Sequence, residues 1–284
     1  MTPDPSKMKA ALVGLAVGDA LGTTLEFGPG TSDESHRDLI GGGPFKMPPG
    51  GWTDDTSMAL CLAESLLECG GFDAADLMER FCRWWKEGYL SHDGRCFDIG
   101  TTTTRALHRF ITDGEAFAGD PSPEAAGNGS LMRLAPVAIY FAYNRSQAAD
   151  VAREQSRTTH AAPQCLAACG EFSDLLIDAF HGTASVSSHH DPNTVSASGY
   201  VVDTMEAALW AVARTDSFED ALIKAVNLGD DADTVGAVTG QLAGAIYGYE
   251  AIPDRWLNQL LWRDRIETLA ESLIEQAPPA KEAD

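Results

Sequence analysis

The stretch LGDDADTVGAVTGQLAGAIYG, residues 228–248, restricts the fold more than any other. Gly236, Gly240, Gly244 and Gly248 recur at every fourth position, so on a helix they share one face. Each glycine inside a helix costs about 1 kcal/mol relative to alanine. A ridge of them is kept where another backbone must approach closer than a Cβ allows. The pattern therefore predicts a helix buried among neighbours. Its start is equally unusual, because Asp230, Asp231, Asp233 and Thr234 crowd a position that needs a single polar cap.

The rest of the chain reads in the same language. Apolar residues at helical spacing predict helices over 9–21, 56–68, 74–87, 102–112, 131–142, 148–157, 164–180, 199–213, 218–226, 234–247 and 256–274. Alternating strand patterns are nearly absent, and no composition shift marks a boundary. The expected fold is all-α, a single compact orthogonal multi-helix domain over residues 1–276, with 277–284 a disordered tail. Segments 28–51 and 182–197 read as loops. The adjacent His189 and His190 of the second loop read as a solvated pair, since nothing nearby completes a site.

The chain has 284 residues and a formal net charge of -22. Such acidity argues against nucleic acid, whose phosphates need clustered Lys and Arg. It suits metal cations or a basic protein substrate, and also serves solubility. The six cysteines form no C-x-x-C pair. They read as reduced, mostly buried thiols of a cytoplasmic protein. The N-terminal apolar run is short and meets Asp19 where a signal peptide would place a cleavage site. Segment 235–252 is apolar, but Gln241, Glu250 and its acidic flank favour a buried helix of a soluble protein over a membrane span. The chain is read as a monomer.

A second segment, GGWTDDTSMALCLAESLLE, also starts a helix with Thr53, Asp54, Asp55 and Thr56. Either segment alone reads as an elaborate N-cap. If the fold joins the two starts, carboxylates share one site and repel one another strongly without cations. Oxygen-only ligand sets suit Mg²⁺, Mn²⁺ or Ca²⁺, and a bridging carboxylate would make a central two-metal site. A third segment, AGNGSLMRLAPVAIYFA, sends Gly127, Asn128, Gly129 and Ser130 into a helix, a setting that suits phosphate. An ordinary turn is the alternative. Glu26 follows a helix end in GDALGTTLEFG, Asp98 precedes a helix in CFDIGTTTTRAL, and His160 stands alone in TTHAAP.

Taken in order, GDALG…LEF, TDDT, FDIG, GNGSLMR, TTH, GYVVDTMEAALWA and GDDADTVGAVTGQLAGAIYG resemble the ADP-ribosylglycohydrolase family over residues 12–256. The resemblance implies an all-α fold around two Mg²⁺ or Mn²⁺ ions, with Thr53, Asp54, Asp55, Asp231, Asp233 and Thr234 as ligands. Asp230 stands where the family often has Gly and is left out. The resemblance further implies that Gly127, Asn128, Gly129, Ser130 and Met132 hold the ADP-ribose diphosphate, His160 lies near a ribose and Tyr200 packs on the adenine. Asp98 matches an aspartate that contacts the distal ribose, although Thr101 replaces an Asn found nearby in nitrogenase-regulating members.

The implied reaction is metal-dependent hydrolysis of the glycosidic bond between ADP-ribose and a protein side chain, through an oxocarbenium-like state. Its partners are an ADP-ribosylated protein and free ADP-ribose. Asp55 is the expected base, with Glu26 and Asp98 as further acids that orient water or assist the leaving group. Arginine is the expected linkage. Serine-linked ADP-ribose, O-acetyl-ADP-ribose, binding of ADP-ribose without cleavage, and a purely structural role are the alternatives.

Overall fold

The computed structural model describes residues 2–32, 34–188 and 194–279. His189 and His190 lie outside the described residues, as does the tail beyond 279. The described chain is helical. Its α-helices are α1 (Pro5–Gly22), α2 (Asp54–Cys69), α3 (Ala74–Glu87), α4 (Thr101–Asp113), α5 (Ala135–Tyr140) and α6 (Arg145–Thr159). They continue with α7 (Pro163–Phe180), α8 (Val201–Ala213), α9 (Phe218–Val226), α10 (Ala232–Tyr247), α11 (Asp254–Leu257) and α12 (Arg263–Glu275). Extended pairing among the described residues is limited to isolated bridges, Gly42 with Met47, Asp120 with His160 and Gly127 with Tyr200. The all-α expectation holds.

The centre is the antiparallel pair α1 and α10, the most extensive helix contact of the fold. The glycine ridge explains it. Gly236 and Gly240 of α10 face Gly18 and Gly14 of α1, and Gly244 faces Ala10. A Cβ added to Gly240 would lie 2.0 Å from the Gly14 carbonyl oxygen. Gly248 serves differently, since with φ 82 it ends α10 instead of extending the ridge. Around this pair one cluster of buried apolar side chains runs from Met8 to Leu273.

Two predicted helices differ in extent. The one expected over 131–142 shrinks to α5, because the Asn128 carbonyl accepts from the N–H groups of Leu131 and Met132 in a turn. The one expected over 256–274 divides into α11 and α12. Leu261 N–H leaves the helical pattern to donate to Gly50 O, and Trp262 adopts φ 58. The cysteines are all free, but only Cys61, Cys165 and Cys169 are buried, which is half of them and not most. Among the described residues no helix is long and apolar enough to cross a membrane.

Candidate active site

The two acidic helix starts meet. Thr53 Oγ1 at the start of α2 and Thr234 Oγ1 at the start of α10 each lie 3.4 Å from Asp55 Oδ2. An oxygen from each of Glu26, Asp231 and Asp233 lies within 4.8 Å of the others. Capping does not account for these residues. Thr53 and Asp231 occupy the N-cap positions of α2 and α10, yet neither side chain makes a capping hydrogen bond. Where this chain needs caps it forms them: Asp4, Asp73, Asn144 and Ser217 each accept from the first turn of their helix. Asp98 is not a cap either, because Gly100 holds that position for α4.

The start of α2 is held by a residue that the sequence pattern does not single out. Asp19 of α1 accepts from Thr53 N at 2.9 Å, Thr53 Oγ1 at 2.9 Å, Thr56 N at 3.0 Å and Thr56 Oγ1 at 2.6 Å. A carboxylate taking so many donors in a dry interior anchors α2 on α1. The signal present in the sequence is an acid flanked by apolar residues inside the helical run LAVGDALG.

The electrostatics follow from burial. Asp54 and Asp55 are pushed well above the usual carboxylate range, both first by desolvation, then Asp54 by the charges of Asp233 and Asp19 and Asp55 by those of Asp19, Asp233 and Asp54. Desolvation, joined by the charge of Asp233, raises Asp19 and Asp231 to about 7. Glu26 is pushed up to about 12 by desolvation and Asp233, and Asp98 to about 11 by desolvation, Asp54 and Asp233. Without a counter-charge Glu26 and Asp98 hold protons at neutral pH, and Asp19 and Asp231 are divided between the two forms.

A cleft of about 390 Å³ opens onto the acids. Of the residues expected at the site, Glu26, Asp54, Asp98, Asp231, Thr234, Gly127, Asn128, Gly129, Met132 and His160 line it. Thr53, Asp55 and Asp233 are buried without lining it. Ser130 turns its hydroxyl inward, where it accepts from Ser156 Oγ at 2.7 Å. Tyr200 is 40% exposed at the start of α8, beside Gly199, which does line the cleft.

The glycine-rich turn is built differently from the expectation. Gly127 N donates to Ala125 O and Asn128 N to Gly199 O, so these N–H groups are satisfied inside the protein. The helix that follows starts only at Ala135, too far on for its dipole to act at the turn. The turn instead joins the site through side chains. Asn128 Nδ2 donates to Asp231 Oδ2 at 2.8 Å and to Thr204 Oγ1 at 2.9 Å. Beneath it the fully buried Arg133 donates to Gly129 O, Gln155 O and Thr159 Oγ1. Arg133 stands in the GNGSLMR motif, but the motif alone assigns it no role.

His160 packs against this turn, and a Cβ on Gly129 would lie 2.7 Å from its Cε1. Burial and the Arg133 charge lower its pKa to about 3, so it is neutral. Thr159 Oγ1 receives from Arg133 and lies 2.8 Å from His160 Nδ1. The hydroxyl and the imidazole thus share one hydrogen bond, which holds the ring against the turn.

Comparison with known proteins agrees with this architecture. The chain is 46% identical to ADP-ribosylarginine hydrolase Tri1 of Serratia proteamaculans (strain 568), over 96% of this chain and 80% of that protein. It is 37% identical to the ADP-ribosyl-[dinitrogen reductase] glycohydrolase of Rhodospirillum rubrum, over 88% of each. A solved structure described as an ADP-ribosylglycohydrolase-related protein complex superposes with a TM-score of 0.83 at 42% identity, covering 96% of this chain and 99% of that one. The family model for ADP-ribosylglycohydrolase matches residues 1–283. With the fold, the paired acidic helix starts and these matches in agreement, the chain belongs to the ADP-ribosylglycohydrolase family.

Proposed function

We propose that this protein is a hydrolase that removes ADP-ribose from modified arginine side chains by cleaving the N-glycosidic bond at the ribose. The observation that carries this reading is the convergence of the α2 and α10 starts on Asp55 beside a cleft that also holds Glu26 and Asp98. The name of the Serratia relative supports arginine as the linkage.

The residues fit divalent cations. Asp55 Oδ1 and Asp233 Oδ2 are buried without a hydrogen-bond partner, an arrangement that is expensive unless a cation completes it. The donor set is oxygen alone, which suits Mg²⁺ or Mn²⁺. Thr53, Asp54, Asp55, Asp231, Asp233 and Thr234 would hold two such ions. When bound, the ions supply Lewis acidity toward ribose hydroxyls and water.

The chain's own groups do the rest. Asp55 is the base for the attacking water, held where the two helix starts meet, between Thr53 and Thr234. Glu26 and Asp98 flank the ribose and steady its hydroxyls as positive charge grows on the ring. Asn128 holds Asp231 in place, and neutral His160 faces the ribose from the cleft wall. Gly127, Gly129 and Met132 shape the wall for the diphosphate, Ser130 supports that wall from behind through Ser156, and Tyr200 at the edge stacks on the adenine. The arginine leaves as a guanidine, which takes a proton readily at neutral pH.

A panel of ADP-ribosylated arginine peptide, serine peptide and O-acetyl-ADP-ribose tests the reading. The expected result is release of ADP-ribose from arginine in Mg²⁺ or Mn²⁺, abolished by Asp231→Ala with Asp233→Ala. Cleavage of the serine peptide alone would show the arginine linkage to be wrong. Undiminished turnover by the double variant in EDTA would rule out the cations.

A further inference from the structure

Phe27 is the most exposed of the large apolar side chains among the described residues, at 68%. It also adopts φ 58, a conformation that bulky residues rarely take. Two unfavourable features at one residue call for a compensating role. The backbone is clamped there: Phe27 N–H donates to Asp230 O at 2.7 Å, and Asp230 N–H to Gly28 O at 2.8 Å. The clamp fixes Phe27 between Glu26 and the acidic start of α10. The ring is braced by Phe45, at 6.2 Å and nearly edge-on, and Phe45 in turn rests on Phe97 at 5.6 Å.

Phe27 lines the same cleft as Glu26 and Asp98, and no Lys or Arg joins them in that lining. An aromatic face beside carboxylates, with no competing cation from the protein, is a receptor for a planar cation. Guanidinium is flat, weakly hydrated and stacks on aromatic faces better than an ammonium does. We propose that Phe27 is a specificity-determining residue whose ring takes the guanidinium of the ADP-ribosylated arginine at the mouth of the cleft. The inference rests on the arginine reading above. A serine linkage presents no planar cation and gains nothing from the ring.

The test compares wild type, Phe27→Leu and Phe27→Trp on an ADP-ribosyl-arginine peptide, with calorimetric Kd for free ADP-ribose measured in parallel. Leucine should lower kcat/KM by about 3- to 30-fold, chiefly through KM, and tryptophan should restore it. The Kd for ADP-ribose should stay within about twofold throughout, because free product lacks the guanidinium. Thermal melting checks folding, and Phe27→Gly, which suits the left-handed backbone, replaces leucine if that variant fails to fold. Full activity of the leucine variant, or loss of ADP-ribose affinity in step with kcat/KM, would overturn the role of Phe27 alone. A wild type that is inert toward arginine but active on another linkage would remove the arginine reading, and this inference with it.

Discussion

Gly18 of α1 and Gly236 of α10 meet backbone to backbone: a Cβ built on Gly18 would lie 2.0 Å from the Gly236 carbonyl oxygen. The contact sets the geometry of the site. One residue after Gly18, Asp19 anchors Thr53 and Thr56, and α10 begins only four residues before Gly236 with Ala232. Moving the two helices apart would therefore separate the halves of the acid cluster.

Gly18→Ala should accordingly lose more stability than the roughly 1–3 kcal/mol of an ordinary overpacked core, since the clash is with backbone that cannot rotate away. Urea unfolding measures it. Gly170→Ala is the matched control. The Cβ there meets the Arg153 guanidinium at 2.6 Å, a flexible group on a half-exposed side chain, and the helix gains propensity. Equal destabilisation by the two variants would contradict the close approach of α1 and α10 as the reason for the ridge.

The ridge is legible in the sequence because its period is local: four-residue spacing shows whatever the partner. Its partner is legible in principle, since Gly14, Gly18 and Gly22 carry the same spacing, but nothing in the sequence says which two ridges pair. The acid clusters on α2 and α10 stand out as an excess over capping, whereas their meeting at Asp55 is a tertiary fact. Asp19 escapes notice because one acid in a helical run has no local mark of four bonds to a distant segment. The turn at Gly127 is marked by its small residues, but its hydrogen bonds to Gly199 and Asp231 come from segments far along the chain. The break before α12 depends on Leu261 reaching Gly50, which no periodicity reveals.

Cation removal should change the sign of the pH response. In the metal-free protein Asp19 and Asp231 are raised to about 7 from the ordinary 3.8 by desolvation and Asp233. Both carboxyls bind protons more tightly folded than unfolded. The stability they contribute is present below about pH 4 and lost as pH rises through about 7. Chelated protein should therefore gain more Tm from added Mg²⁺ at pH 8 than at pH 5, by about 5 °C or more. Asp19→Asn should shrink that difference. Thermal melts in EDTA and in Mg²⁺ at both pH values decide it, and an equal gain at the two would count against a cation in the cluster.

His160 predicts the opposite slope at lower pH. Its pKa falls from 6.5 to about 3 on folding, because burial and Arg133 disfavour the imidazolium. The unfolded chain takes up a proton that the folded protein refuses. Stability tied to this group is complete above about pH 6.5 and is lost as pH falls toward 3. His160→Gln has no proton to gain, so its urea midpoint should drop less between pH 7 and pH 4.5 than that of the wild type. Measuring both proteins at each pH cancels the carboxyl contribution, which they share. Parallel pH profiles would mean that His160 accepts its proton without unfolding, and would remove the neutral imidazole from its place against the Gly129 turn.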